Sequence, residues 1–238
     1  MENSTTRKIL TMGGGGFSMD EPGNLLLDRY FISLAEKKNP KICFIATASG
    51  DAQNYIDMFY ESMKNHEVVP SHLSLFKGPK DVSLRDFVFD KDIFYVGGGN
   101  TRNLMALWNE WGLGALLKEA SQAGKVLGGI SAGSLCWYEE GVTDSVPGKL
   151  GALTCLGILK GSNCPHYDGE AERRPAYHRL IMSGMKDGIA CDDGVAAVFE
   201  NEQFQEFVSS RREAKGYFVK NVSGRIEEVE VKPRFLGN

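Results

Sequence analysis

Two short runs, Ile42-Cys43-Phe44-Ile45 and Ile93-Phe94-Tyr95-Val96, carry no charged side chain over four successive residues. Runs this short and this apolar fit strands covered on both faces, as in a parallel sheet, better than strands with one wet face. They fall within strand patterns at Ile42–Thr47 and Asp92–Val96, and further patterns lie at Lys8–Met12, His72–Phe76 and Lys125–Ile130. Helical stripes separate them: Leu27, Tyr30, Phe31 and Leu34; Tyr55, Met58, Phe59 and Ser62; Leu104, Leu107, Trp108 and Trp111; Leu113, Leu116, Leu117 and Ala120. Strand and helix in alternation predict an α/β three-layer sandwich with a mostly parallel central sheet and right-handed crossovers.

Beyond residue 140 the pattern changes. Residues 139–175 are rich in Gly, Pro, Asp and Ser and carry little periodicity, so they read as a long loop. A helix with Pro175 in its first turn follows, with Tyr177, Leu180, Ile181 and Met185 along it. The last 50 residues read as strands, Gly194–Phe199 and Phe204–Ser209, and as a C-terminal β-hairpin of Gly216–Lys220 and Arg225–Val231. With no linker or repeat, residues 1–238 are expected to form one domain.

Composition excludes several classes of protein. A net charge of −4 argues against nucleic acid as the main partner, because phosphate binding needs a basic surface. No apolar run approaches the ~18–20 residues that cross a bilayer. Five scattered cysteines without a CxxC pair suit neither a disulfide framework nor a zinc site, and the expectation is a reduced, cytoplasmic protein, a monomer or homodimer with no metal or cofactor.

In an open parallel sheet, ligands bind outside the carboxyl ends of the strands. Three glycine clusters follow strand patterns here: Gly13-Gly14-Gly15-Gly16, Gly97-Gly98-Gly99-Asn100 and Gly129-Ile130-Ser131-Ala132-Gly133. The first lacks both the GxGxxG register and the Lys-Ser/Thr of a phosphate loop, and is read as a tight turn lining the site. The third is GxSxG between a strand and a helix-like segment, Ser134–Glu140, the setting in which this motif lifts a serine hydroxyl clear of the sheet. Ser131 is therefore the candidate nucleophile. The Ala132 amide beside it and an amide of the second cluster, Gly97–Asn100, would hold a developing oxyanion. Asn100 is a candidate for substrate contact and equally a helix cap.

A serine needs a base. Of four histidines, His66 and His72 flank a strand and His178 sits within a helix, whereas His166 lies in a loop, Asn163-Cys164-Pro165-His166-Tyr167-Asp168, and is the candidate. Asp168 is too close in sequence to reach the ring readily. Asp144 and Asp193 remain as alternatives for the acid that orients His166.

Taken together, Gly97-Gly98-Gly99-Asn100, Gly129-Ile130-Ser131-Ala132-Gly133 and Pro165-His166 resemble the peptidase E family of serine dipeptidases, which are related to cyanophycinases and share a class I glutamine amidotransferase-like, flavodoxin-like fold. The resemblance implies Ser131 as nucleophile, His166 as base, and the Gly99 and Ala132 amides as oxyanion hole. It points to Asp144 as the third member, with Asp193 as substitute or helper. It further implies hydrolysis of small peptides, dipeptides with N-terminal aspartate among them, and an arginine near the substrate carboxylate, for which Arg174 matches better than Arg173. An α/β-hydrolase esterase would need more chain between serine and histidine than the 35 residues present here. A catalytically silent amidotransferase-like binding or stress-response protein is the alternative from another class.

Overall fold

In the computed structural model, which describes residues 6–21, 23–78 and 83–237, the two apolar runs lie side by side in parallel, all eight residues fully buried. Among the described residues fourteen strands form two sheets. The first contains β1 (Lys8–Met12), β2 (Lys41–Ile45), β3 (Val69–Leu73), β4 (Ile93–Val96), β5 (Val126–Ile130), β10 (Val195–Glu200), β11 (Gln203–Ser209) and β14 (Arg234–Phe235). The second contains β6 (Tyr138–Val146), β7 (Lys149–Thr154), β8 (Leu159–Cys164), β9 (Gly188–Cys191), β12 (Gly216–Val222) and β13 (Arg225–Val231). The first runs in the order β14-β11-β10-β1-β5-β4-β2-β3, with β1, β5, β4, β2 and β3 all parallel and β10 antiparallel to β1. The second runs β13-β12-β9-β8-β6-β7.

Alternation along each strand sends side chains to two cores. Leu10, Met12, Phe44 and Tyr95 meet helices α1 (Leu26–Ser33) and α2 (Gln53–Met63) on one face. Ile9, Cys43, Phe94 and Val96 meet α3 (Leu84–Phe89), α4 (Thr101–Trp111) and α5 (Leu113–Gln122) on the other. The second sheet covers the rest of that face, contributing Tyr138, Leu159 and Cys191, and a third cluster joins it to α7 (Arg173–Met182) through Tyr177 and Ile181. Phe17 packs edge-on against Phe44, Phe59 and Tyr95 at centroid distances of 5.5, 5.8 and 5.3 Å, which anchors the far end of the Gly13–Gly16 turn.

The three-layer α/β sandwich, the mostly parallel sheet and the C-terminal hairpin are as the sequence predicts, and β1 has the expected bounds. The 139–175 segment departs from expectation: it supplies β6, β7 and β8, and only the stretch before α7 is a loop. Gly, Ser and Asp weaken any periodic signal there, and pairing within the second sheet, with β8 against β9 beyond α7, overrides local preference. The helix after Ser131, α6 (Ala132–Leu135), ends before Glu140 because Tyr138 onward joins the second sheet. β3 lies three residues earlier than expected; Pro70 is tolerated there because the strand is at the edge. Met58, placed by periodicity on the buried stripe of α2, is 44% exposed. No helix among the described residues is long and apolar enough to cross a membrane. The five cysteines are free.

Candidate active site

β5 ends at Ile130, and the chain turns at once into α6 through Ser131, whose backbone sits at φ 55°, ψ −112°. A non-glycine residue at positive φ is held there only when its surroundings overdetermine it. Here they do. Ser131 N donates to Met12 O at the end of β1 (3.1 Å), and Ser131 O accepts from the Ser134 and Leu135 amides. Gly133 lets the turn close: a Cβ at this position would stand 2.1 Å from Val96 O, far inside van der Waals contact with a backbone atom that cannot swing away.

Ala132 is the first helical residue, so its amide has no intrahelical acceptor. Across the cleft, Gly97 N donates to Ile45 O, Gly98 N to the Tyr55 hydroxyl (3.3 Å) and Asn100 N to Ala48 O (2.7 Å). Gly99 lies between them with no acceptor on its amide among the described residues. Tyr55 is thus a residue that the sequence pattern marks only as helix face, and its hydroxyl accepts from the Gly98 amide while donating a hydrogen bond to Ser18 Oγ (3.2 Å). Asn100 caps α4, accepting from Asn103 N at 2.9 Å, and its amide nitrogen donates to Ser145 O at 3.2 Å.

His166 follows β8 at φ 54° and is 9% exposed. Its Nδ1 lies 2.7 Å from Asp193 Oδ1. The pair is joined through the first glycine cluster: His166 N donates to Gly13 O, Gly13 N to Val195 O, and Gly194 N to Gly14 O. Gly14 is a close-approach position, since a Cβ there would fall 1.9 Å from Asp193 Oδ1 and 3.1 Å from His166 Nδ1. Asp193 is held from behind. Its amide donates to Asp168 (2.7 Å), and Arg211 donates both to Asp193 O (2.9 Å) and to Asp168 (3.2 Å). Asp168, set aside as an orienter of His166, therefore holds the backbone of Asp193 instead. Nothing local in the sequence marks Arg211, which arrives from the end of β11.

The structure does not bring Asp144 to the imidazole. Its carboxylate is 64% exposed and stands 3.4 Å from Arg173, because β6 carries it outward along the second sheet. Arg174 also departs from expectation. It pairs with Glu228 of β13 and lies over the Tyr167 and Tyr217 rings, away from Ser131. Successive helical residues diverge by about 100°, and it is Arg173 that turns to the cleft, buried to 3% exposure. Arg173 donates to both carboxylate oxygens of Glu170 (2.6 and 3.1 Å) and to Val142 O (3.2 Å).

Ser131 and His166 together line two cavities. One of about 320 Å³ also holds Asn100, Asp144, Glu170 and Arg173; the other, about 470 Å³, is walled by Met19, Ala52, Tyr55 and Met58. Beneath the Gly13–Gly16 turn, burial pushes the Asp28 carboxyl up to about 6, with both oxygens unpartnered in hydrogen bonds. Among the described residues no group of three or more His, Cys, Asp or Glu side chains is placed to hold a metal ion.

A serine on a strained strand–helix turn, sharing a cleft with a histidine that is bonded to a carboxylate, is the arrangement of a serine-type hydrolase. The comparisons with known proteins agree. Residues 9–207 match the model of peptidase family S51, and the chain belongs to that family. It is 53% identical to the uncharacterized peptidase YgaJ of Bacillus subtilis strain 168 over 232 residues, 97% of this chain and the whole of that protein. Its fold resembles that of a peptidase from an acI-B1 actinobacterium (TM-score 0.69, 18% identity, 96% of this chain and 98% of the other). A candidate peptidase E protein from Listeria monocytogenes EGD-e is similar at TM-score 0.62 and 16% identity, over 84% of this chain and 97% of its own. The family makes this chain a serine-type peptidase.

Proposed function

We propose that the protein is a cytoplasmic serine dipeptidase that cleaves small peptides with an N-terminal aspartyl residue, using Ser131, His166 and Asp193. The observation that carries this reading is the 2.7 Å contact between His166 Nδ1 and Asp193 Oδ1 in the cleft that Ser131 lines. With Nδ1–H donated to Asp193, Nε2 is the acceptor nitrogen. It takes the Ser131 proton as Oγ attacks the peptide carbonyl carbon. Negative charge moves to the carbonyl oxygen, where the Gly99 and Ala132 amides receive it; one such donor is worth about 10²–10³-fold in rate. His166 then gives its proton to the departing amine nitrogen as the C–N bond breaks, leaving an ester on Ser131. Water, deprotonated by His166, hydrolyses the ester and restores the serine.

The 320 Å³ cavity suits an aminoterminal aspartyl residue in charge. Such a residue carries an ammonium and a carboxylate close together, and the cavity offers Asp144 and Glu170 for the first and Arg173 for the second. Asp144, exposed and 3.4 Å from Arg173, is the partner that a substrate carboxylate displaces, and guanidinium geometry favours that exchange. Turnover of Asp-X, Glu-X and Ala-X dipeptides tests the reading. Asp-X is expected to be hydrolysed fastest, and by wild type at least about 10³-fold faster than by His166→Ala. Equal rates for the two proteins would remove the base, and equal rates for Asp-X and Ala-X would remove the role given to Arg173.

A further inference from the structure

Ser131 stands at the junction of two cavities of opposite character. The polar one holds Asp144, Glu170 and Arg173. The other, about 470 Å³, is lined by no Asp, Glu, Lys or Arg; its walls are Met19, Ala52, Tyr55, Met58 and Ile130, with Ser18, Ser49 and Asn54 as neutral polar groups. Met19 and Met58 are 49% and 44% exposed at its rim, although Met58 shares α2 with the buried Phe59 and Met63. Large apolar side chains left open beside a reactive group are the kind of surface that a ligand covers, and methionine adapts its shape to what it meets.

A peptide whose carbonyl carbon rests on Ser131 Oγ sends the residues on either side of the scissile bond in opposite directions. With the acyl residue in the polar cavity, the amine-side residue enters the apolar one. We propose that the Met19–Tyr55–Met58 cavity is the subsite for the leaving residue and selects a large apolar side chain, so that the substrate class is aspartyl dipeptides ending in leucine, phenylalanine or methionine. The proposal rests on the dipeptidase reading for the direction in which the substrate lies. The α-carboxylate that every leaving residue carries would be met by the neutral donors Ser18, Ser49 and Asn54. A second, side-chain charge against Met19, Tyr55 and Met58 would be desolvated without a partner, whereas an apolar side chain there removes both its own surface and that of the two methionines from water.

Calorimetric titration of Ser131→Ala, which binds without turnover, tests the subsite. Asp-Leu and Asp-Phe are expected to bind at least about tenfold more tightly than Asp-Gly, Asp-Lys and the reversed Leu-Asp. Adding Met58→Glu, at a position 44% exposed, is expected to abolish that advantage. Equal affinities across the set, an advantage that survives Met58→Glu, or no binding of any dipeptide would each overturn the proposal. Failure of the dipeptidase reading is visible separately, as Asp-Leu that Ser131→Ala binds and that wild type leaves intact.

Discussion

The proposed nucleophile, Ser131, and its proposed base, His166, are built in different ways. Ser131 is fixed by backbone: its turn closes against Val96 O and Met12 O, and every atom that holds it belongs to the parallel sheet or to α6. His166 and Asp193 are fixed by side chains and by glycine carbonyls of a remote turn, with Asp168 and Arg211 behind. The first half is set in backbone, with Met12 reaching it from 119 residues away; the second depends on side chains that can move. A device made of backbone tolerates almost no change of shape, and one made of side chains fails by degrees.

Chemistry gives the widest contrast. Asp193→Asn is expected to lower kcat for an Asp-X dipeptide by about 10⁴-fold, as loss of the orienting carboxylate does elsewhere. Asp144→Asn is expected to act within about tenfold and on KM, since its carboxylate faces Arg173 and would meet bound substrate instead of the imidazole. The reverse outcome would return the acid to β6.

The glycines test rigidity directly. Gly133→Ala drives a methyl into backbone and is expected to destabilise the fold by about 3 kcal/mol or more in chemical denaturation. Gly14→Ala meets mainly the Asp193 side chain, which can swing, so it is expected to cost activity by about 10²-fold with little change in stability. Equal loss of stability in both variants would erase the distinction between the two halves.

The Gly13–Gly16 turn links the halves, and Asp28 lies under it. A carboxyl raised from about 4 unfolded to about 6 folded stabilises the protein fully below the lower value, and that contribution is lost as pH rises through the upper one. Asp28→Asn is therefore expected to be more stable than wild type by about 2 kcal/mol at pH 8, with the gap closing towards pH 4. A gap independent of pH would show that the buried carboxyl does not titrate on folding. Smaller still is the effect of Arg211→Gln, which loosens Asp193 from behind. It is expected to lower kcat about tenfold with KM unchanged, and a change in KM alone would place Arg211 against substrate.

This contrast also explains what could be read from the sequence. The parallel strands and GxSxG announced themselves because their constraints are local: both-face burial makes Ile42–Ile45 and Ile93–Val96 uniformly apolar, and a tight crossing excludes any Cβ at residue 133. The second sheet did not, since Gly141, Gly151 and Gly161 interrupt β6, β7 and β8, which are held by pairing with one another and, for β8, with β9. Choosing between Asp144 and Asp193 required knowing where β6 points. Choosing between Arg173 and Arg174 required the phase of a helix whose apolar residues form no clear stripe. Tyr55, Asp168 and Arg211 act through contacts spanning 43, 25 and 18 residues, and no pattern within a window could reveal them.

The proposed chemistry depends on Ser131 being a nucleophile activated by His166. Labelling with a fluorophosphonate, located by peptide mass spectrometry, measures this directly. The expected result is one adduct on Ser131, absent in Ser131→Ala and formed far more slowly in His166→Ala. Equal labelling of wild type and Ser131→Ala, or labelling of Ser131 unchanged by loss of His166, would contradict it.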